Sequence, residues 1–252
     1  DAFVLVLFAI ALTAVVLVAT AKRIADDTLQ ASEKYPVHLL NASAIAGGVL
    51  TIVWLSFKVT LGLFDWSMLG LLSLALMTLA YFKQAVYQSP LLMQLGASLI
   101  LFFFWSRNAP LGDALAVIFG MSAVYIGGGA ILMRQVSDPR FWAGLQAVTA
   151  LSLYLISYWV LDLPAWLVQA QGSFGGMFWG ILSLVLASVS IYQAADIRAK
   201  YKADDVIQEH LVATYSLAAS AFISLGLAIE LPWAYVPLAI AGQVAATAWV
   251  YS

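Results

Sequence analysis

The sequence predicts an all-α, polytopic transmembrane helical bundle of about nine spans. Of its 252 residues, 63% are apolar and 10% are charged, whereas soluble domains are roughly 45–50% apolar and about 25% charged. The apolar residues run continuously for about 20 positions at a time, which is the length that crosses a bilayer as a helix. They do not alternate with polar residues as they would in a membrane β-strand. Lipid is therefore the expected solvent for most of the chain.

Nine segments have the length and composition of a membrane span. They cover residues 2–20, 37–57, 66–83, 90–106, 114–133, 141–161, 175–195, 210–229 and 232–252. The breaks between them contain turn-forming or charged residues, among them Pro36, Asp65, Pro90, Pro110, Pro139, Pro164 and Pro232. Because apolar segments meet both ends of the chain, we expect residues 1–252 to be a single transmembrane domain within a longer protein.

Lysine and arginine indicate the orientation, because they accumulate in cytoplasmic loops. The connections after even-numbered spans hold only Lys58 and Arg107, and those after odd-numbered spans hold the other nine of the 11 basic residues. We therefore expect a bacterial inner-membrane protein with the N-terminal end of the chain outside and the C-terminal end in the cytoplasm.

Two parts of the chain resemble each other. HLLNASAIAGGVLTIVWLSFK, starting at His38, aligns without a gap with HLVATYSLAASAFISLGLAIE, starting at His210, and a short Ala-Asp-Asp stretch precedes each. This similarity predicts a parallel three-helix repeat of spans 1–3 and 7–9. Its units are residues 1–83 and 175–252, with the middle spans at 90–161 between them.

The two histidines are the candidate polar site. His38 and His210 are both predicted at the cytoplasmic interface, and Glu209 is adjacent to the second. A metal needs three or four ligands with defined partners, and the sequence has no HExxH, HxH or carboxylate cluster. We expect interfacial imidazoles at helix starts, with no metal and no catalytic residue. A paired functional site remains the alternative.

The glycines of span 5 are the candidate cavity or packing site. Gly127, Gly128 and Gly129 weaken a helix but allow a second backbone to approach closely. Gln94 and Gln146 supply amides within otherwise apolar spans, where the usual role of such groups is hydrogen bonding between helices. Helix packing or a kink is one interpretation, and a broken helix that lines a substrate path is the other.

Several functional classes lack support in the sequence. The chain has no cysteine and a net charge of −2, which excludes thiolate chemistry and gives no basic surface for nucleic acid. It contains neither GxSxG nor a P-loop, so we expect no cofactor. Charged residues are absent from the middle of every predicted span, which argues against an ion-coupled pump.

The final hairpin, HLVATYSLAASAFISLGLAIELPWAYVPLAIAGQVAATAWVYS, resembles a recurring element of a bacterial family of multi-span predicted membrane proteins of unknown function. The segment FWAGLQAVTALSLYLISYWVLDLPAW is similar in character. The resemblance implies a longer protein built of Ala-, Leu- and Trp-rich helical hairpins, and it implies no catalytic or ligand residues.

Taken together, these features predict a non-enzymatic scaffold, or a subunit of a membrane or envelope assembly, whose partners are the lipid bilayer and other membrane subunits. A transporter or lipid-handling protein with a path near Gly127–Gly129 is the first alternative. A membrane enzyme at the cytoplasmic face, around His38 and His210, is the second.

Overall fold

A computed structural model of the chain describes residues 61–82, 84–161, 178–200, 206–231, 235–237 and 240–243. Within these ranges the fold is all-α, without a strand, as the sequence predicts. One π-helical segment, Ser122–Gly128, joins two of the α-helices. In chain order the α-helices are α1 Leu63–Phe82, α2 Gln84–Trp105, α3 Leu111–Met121, α4 Gly129–Met133, α5 Arg140–Val160, α6 Phe178–Lys200 and α7 Val206–Glu230.

Six helices are long and apolar enough to cross a bilayer, and each coincides with a predicted span. The third is the continuous helix from Leu111 to Met133, which passes through the π-helical segment. The predicted spans 2–20 and 37–57, and most of 232–252, lie outside the described residues. Nine spans and the repeat are therefore predictions. Within the described residues the structure confirms the all-α fold and contains six helices that are long and apolar enough to cross a membrane.

The break predicted at Pro90 is wrong, because α2 begins at Gln84 and continues through Pro90. A proline inside a helix removes one backbone hydrogen bond, but transmembrane helices tolerate proline when neighbouring groups satisfy the freed carbonyl.

Local sequence signals account for the helix ends. Asp65, in the first turn of α1, accepts a hydrogen bond from the Gly62 backbone N–H at 2.9 Å, which is the reach-back half of a capping box. Pro110 precedes α3 in an extended conformation, and Asp113 lies in the first turn. Arg198 and Lys200 occupy the last turn of α6, where positive charge opposes the negative end of the helix dipole.

The described residues belong to two compact units, which divide between Gly127 and Gly128. In the first, α1 packs extensively on α2 and more loosely on α3. An aromatic cluster joins the start of α1 to the end of α2, where the Trp66 ring centroid lies 5.2 Å from that of Trp105 and 6.1 Å from that of Phe102. The Trp105 indole also donates to the Leu61 carbonyl at 2.8 Å.

The second unit is organised around α6 and α7, which form the most extensive helix pair in the described structure. Helix α5 packs along α7, and the short α4 packs on α5. Two apolar clusters hold these helices together. One contains Ala143, Ala194, Ile197, Leu211, Val212 and Tyr215, and the other contains Tyr154, Trp179, Ala187, Ala219 and Phe222.

Large apolar side chains also cover the outer faces of the helices. Leu217 is 73% exposed, Phe119 70% and Trp159 77%, and many more aliphatic residues on the six long helices are exposed as well. So many exposed large apolar side chains are unusual on a water-soluble protein. It is compatible with contact with the acyl chains of a lipid bilayer.

Candidate functional site

The polar site predicted from the sequence lies at a charged end of the second unit. His210 is exposed on the first turns of α7, and its Nδ1 lies 2.8 Å from the Val206 carbonyl oxygen of the same helix. The neighbouring Glu209 is exposed, and His38 lies outside the described residues. Among the residues that the structure describes, no three His, Cys, Asp or Glu side chains form a group that could hold a metal.

An ion pair lies close to His210. Arg140 Nη2 is 2.6 Å from Asp138 Oδ2, and Arg140 Nε donates to Asp138 Oδ1 at 2.8 Å. These hydrogen bonds hold the pKa of the Asp138 carboxyl below its usual value, and the charge of a protonated His210 acts in the same direction. Because both partners are largely exposed, the pair orders the start of α5 and stabilises the fold only slightly.

We expect His210→Ala to change the stability of the folded protein by no more than about 0.5 kcal/mol, because an exposed side chain bonded only to its own helix contributes little. Thermal unfolding of the detergent-solubilised protein, with and without zinc, measures this. Glu209→Gln is the control, and neither wild type nor variant should be stabilised by zinc. A zinc-dependent rise in the unfolding temperature that His210→Ala abolishes would support a paired site with His38.

The glycine run occupies the junction of the π-helical segment and α4. A Cβ at Gly129 would lie 3.0 Å from Cγ of Gln146, so Gly129 allows the α5 side chain to pack against the backbone of α4. A Cβ at Gly127 would meet only the Ser122 carbonyl, at 3.9 Å. Gly128 has ordinary right-handed helical angles and caps α4. The helix thus changes its winding here and is not interrupted.

Gln146 serves contacts within the second unit. Its Nε2 donates to the Trp142 carbonyl at 3.2 Å and lies 3.8 Å from the Met133 sulfur, which also accepts from the Tyr215 hydroxyl at 3.4 Å. Gln94 belongs to the first unit. It is buried on α2, and its Nε2 has no hydrogen-bond partner among the described residues. The structure therefore places the two amides in separate units.

A cavity that the sequence did not predict lies in the first unit. Its volume is about 220 Å³, and α1 and α3 supply most of its walls while Ser98 reaches it from α2. The wall is largely apolar and carries two glycines, Gly70 and Gly120, at which a Cβ would meet no atom within 4 Å. The lining residues are Leu63, Trp66, Ser67, Leu69, Gly70, Ser73, Ser98, Ala116, Val117, Gly120, Met121, Val124 and Tyr125.

Three buried hydroxyls meet at this cavity. Ser73 Oγ donates to the Leu69 carbonyl at 2.8 Å and lies 2.7 Å from the Tyr125 hydroxyl, which Ser98 also contacts. All three side chains are almost completely buried. The cluster thus links α1, α2 and the π-helical segment. The sequence did not predict this cluster. Its serines and tyrosine have the same residue types and similar neighbours as the many hydroxyls that bond only to a carbonyl of their own helix.

Polar contacts also join helices within the second unit. Glu230, the last residue of α7, accepts from the Gly180 backbone N–H at 2.9 Å. The Tyr154 hydroxyl donates to the Trp179 carbonyl, also at 2.9 Å. The Gln243 amide makes two hydrogen bonds to α7. Its nitrogen donates to the Ser220 carbonyl at 2.8 Å, and its oxygen accepts from the Ser224 hydroxyl at 2.9 Å.

Comparison of the chain with models of protein families, with curated proteins and with solved structures gave no match.

Proposed function

We propose that the protein is a non-enzymatic integral protein of the bacterial inner membrane that serves as a scaffold or subunit of a membrane or envelope assembly. The observation that supports this most is the placement of charge. Every described Asp, Glu, Lys, Arg and His lies in a connection or within five residues of a helix end. The six helices thus offer no ionisable group at mid-membrane depth to bind and release a proton or cation.

The use of partly buried polar groups supports the same proposal. The Glu230 carboxylate binds a backbone N–H of the neighbouring helix, and the Gln243 amide binds two serines of α7. Such contacts fasten helices to one another in lipid, where burial of apolar surface does not drive their association. Because the Glu230 carboxylate and the Gln243 amide are used in these contacts, we do not assign them a catalytic role.

We also propose a complete set of nine membrane spans for the chain. Adding the predicted spans 2–20, 37–57 and 232–252 to the six described helices gives nine spans. Residues 1–83 and 175–252 would then be parallel three-helix units with His38 equivalent to His210, as in the resembled family of repeated hairpins. The bias of basic residues toward one set of connections puts that set in the cytoplasm.

Single cysteines test the orientation directly, because residues 1–252 contain none. We expect cysteine at Ala25, Ser137 or Ala203 to react with a membrane-impermeant maleimide only after the cytoplasmic side is opened. Cysteine at Gln171 should react in intact spheroplasts. Labelling in the reverse pattern would contradict both the orientation and the parallel repeat.

The cavity in the first unit favours a second candidate function, handling of lipid. It lies beside Gly120 and Tyr125, rather than at Gly127–Gly129, and its wall is mainly apolar. A cytoplasmic-face enzyme is the weaker alternative, since His210 has no metal-binding group around it among the described residues.

The scaffold proposal is tested by isolating the tagged protein in a mild detergent and by reconstituting it in vesicles. We expect a partner subunit at a fixed ratio, which crosslinks to a photoreactive residue at the exposed positions Tyr192 or Leu217 but not at the buried Ala187. Vesicles that carry a fluorescent phospholipid in one leaflet should show no faster lipid exchange than empty vesicles. Exchange that is fast in the wild type and lost in Gly120→Leu would instead establish lipid handling.

A further inference from the structure

We propose that Met133 is a site of reversible oxidation by hydroperoxides, at which the sulfoxide oxygen accepts hydrogen bonds from Tyr215 and Gln146. The three residues lie on three helices of the second unit, since Met133 ends α4, Gln146 belongs to α5 and Tyr215 to α7. Met133 also packs against the apolar cluster that contains Tyr215. The site is a modification site, and it applies to a scaffold and to a lipid-handling protein alike.

The position of Met133 gives a water-soluble oxidant access to it. Its side chain is partly exposed, and the exposed residues Arg134 and Gln135 follow it directly. Because arginine is costly in hydrocarbon, this end of the helix lies at the membrane surface. Met77 provides the contrast, since it is only 3% exposed within α1. A hydroperoxide in water should therefore oxidise Met133 before Met77.

Two hydrogen-bond donors already point at the Met133 sulfur. The Tyr215 hydroxyl donates to it at 3.4 Å, and Gln146 Nε2 lies 3.8 Å from it. The amide nitrogen has a second N–H, which donates to the Trp142 carbonyl at 3.2 Å. Tyr215 and Gln146 are almost completely buried, and a thioether sulfur is only a weak acceptor. The unoxidised sulfur therefore makes weak use of two donors that burial keeps from water.

Oxidation would give these donors a stronger acceptor. The sulfur lone pair attacks the terminal oxygen of the hydroperoxide, the O–O bond breaks, and the hydroperoxide proton ends on the leaving oxygen as water or an alcohol. The sulfur loses two electrons and the hydroperoxide gains them. A polar sulfoxide usually disrupts an apolar site, but at Met133 its oxygen meets the Tyr215 hydroxyl and the Gln146 amide. A sulfoxide reductase reverses the step, as two thiols become a disulfide and the oxygen leaves as water.

The first test measures where oxygen is added. Purified protein in detergent is treated with hydrogen peroxide, and its peptides are analysed by mass spectrometry. Because oxidation follows exposure, we expect Met133 to react at least about tenfold faster than Met77. A methionine sulfoxide reductase with a dithiol should then remove the oxygen from Met133 in the folded protein. Oxidation of Met133 no faster than that of Met77, or a sulfoxide that the reductase cannot remove, would overturn the proposal.

The second test measures what the sulfoxide does to stability. Oxidation should not lower the unfolding temperature of the wild type relative to Met133→Leu, which retains a side chain of similar volume and reports the effect of the other methionines. Tyr215→Phe retains the ring and loses the hydroxyl. Oxidation should lower its unfolding temperature by about 2–4 °C more than that of the wild type, the shift of one hydrogen bond in a chain of this size.

Two further variants complete this comparison. Gln146→Leu removes the other donor and should change the response to oxidation in the same direction as Tyr215→Phe. Tyr192→Phe, at a position 72% exposed on α6, is the matched control and should respond as the wild type does. If oxidation shifted the wild type, Tyr215→Phe and Gln146→Leu equally, the two donors would not bind the sulfoxide and the proposal would be wrong.

Discussion

Tyr154→Ala is expected to lower the free energy of unfolding by roughly 3–5 kcal/mol, as large-to-small changes at buried aromatic positions do. Tyr154 is 3% exposed on α5. Its ring lies 5.8 Å, centroid to centroid, from those of Trp179 and Phe222, edge to face in both cases. It thus joins α5 to both α6 and α7. Alanine would leave a void that three helices cannot close by a small shift, and it would remove the hydrogen bond to the Trp179 carbonyl.

Two control variants separate the contribution of the buried Tyr154 ring from that of its hydroxyl and from the effect of removing any aromatic ring. Tyr154→Phe retains the ring and loses only the hydroxyl, so a cost of about 1 kcal/mol is expected. Tyr192→Ala removes an aromatic ring that is 72% exposed on α6 and should change stability little. Reversible unfolding in lipid bicelles gives the three values. A cost for Tyr154→Ala no greater than that for Tyr192→Ala would contradict this packing.

Gly226→Ala is expected to destabilise the α6–α7 pair by about 1–3 kcal/mol, the usual cost of overpacking a close contact. A Cβ at Gly226 would overlap Oγ of Ser183 and lie 3.2 Å from its Cβ. Ser183 could move aside only by giving up its hydrogen bond to the Gly180 carbonyl, which is 2.7 Å long. Alanine intrinsically favours a helix over glycine by up to about 1 kcal/mol, so a measured loss would mean that the clash is the larger effect.

The matched control is Gly144→Ala on α5, where a Cβ would meet no atom within 4 Å. It should be neutral or slightly stabilising under the same unfolding conditions. Ser183→Gly, introduced into the Gly226→Ala variant, should restore most of the lost stability because it removes the opposing side chain. If Gly226→Ala and Gly144→Ala were equally stable, or if Ser183→Gly gave no recovery, the close approach of the two helices would be wrong.

Sequence reasoning succeeded where transfer to lipid is the dominant effect. The six described spans were located to within a few residues at most of their ends, because a helix that crosses the membrane must be long and apolar. The segment 90–106 was the largest error. The expectation that proline interrupts a helix holds in water, but α2 continues through Pro90. In lipid, leaving the helical conformation would cost several kcal/mol for each backbone group that loses its hydrogen bond.

Only the structure defines which of the small residues and amides make contacts between helices. Among the small residues, Gly180 and Gly226 lie at the α6–α7 contact, whereas Gly96 and Gly144 face open space. Among the amides, Gln243 bridges helices and Gln94 Nε2 has no partner within the described ranges. The sequence does not distinguish one glycine from another, or one glutamine from another, because residue type alone does not say which face of a helix contacts a neighbouring helix.

For the residues that the structure describes, the sequence by itself determined the six long apolar helices and the position of the charges near helix ends. The tertiary structure alone decided which faces pack, where the winding becomes π-helical and where the first unit leaves a cavity. The physical reason is the solvent. In water a polar stripe distinguishes the exposed face of a helix from the buried face, but lipid is as apolar as a protein interior. Both faces of a span such as α1 are therefore apolar, and only the packed structure distinguishes them.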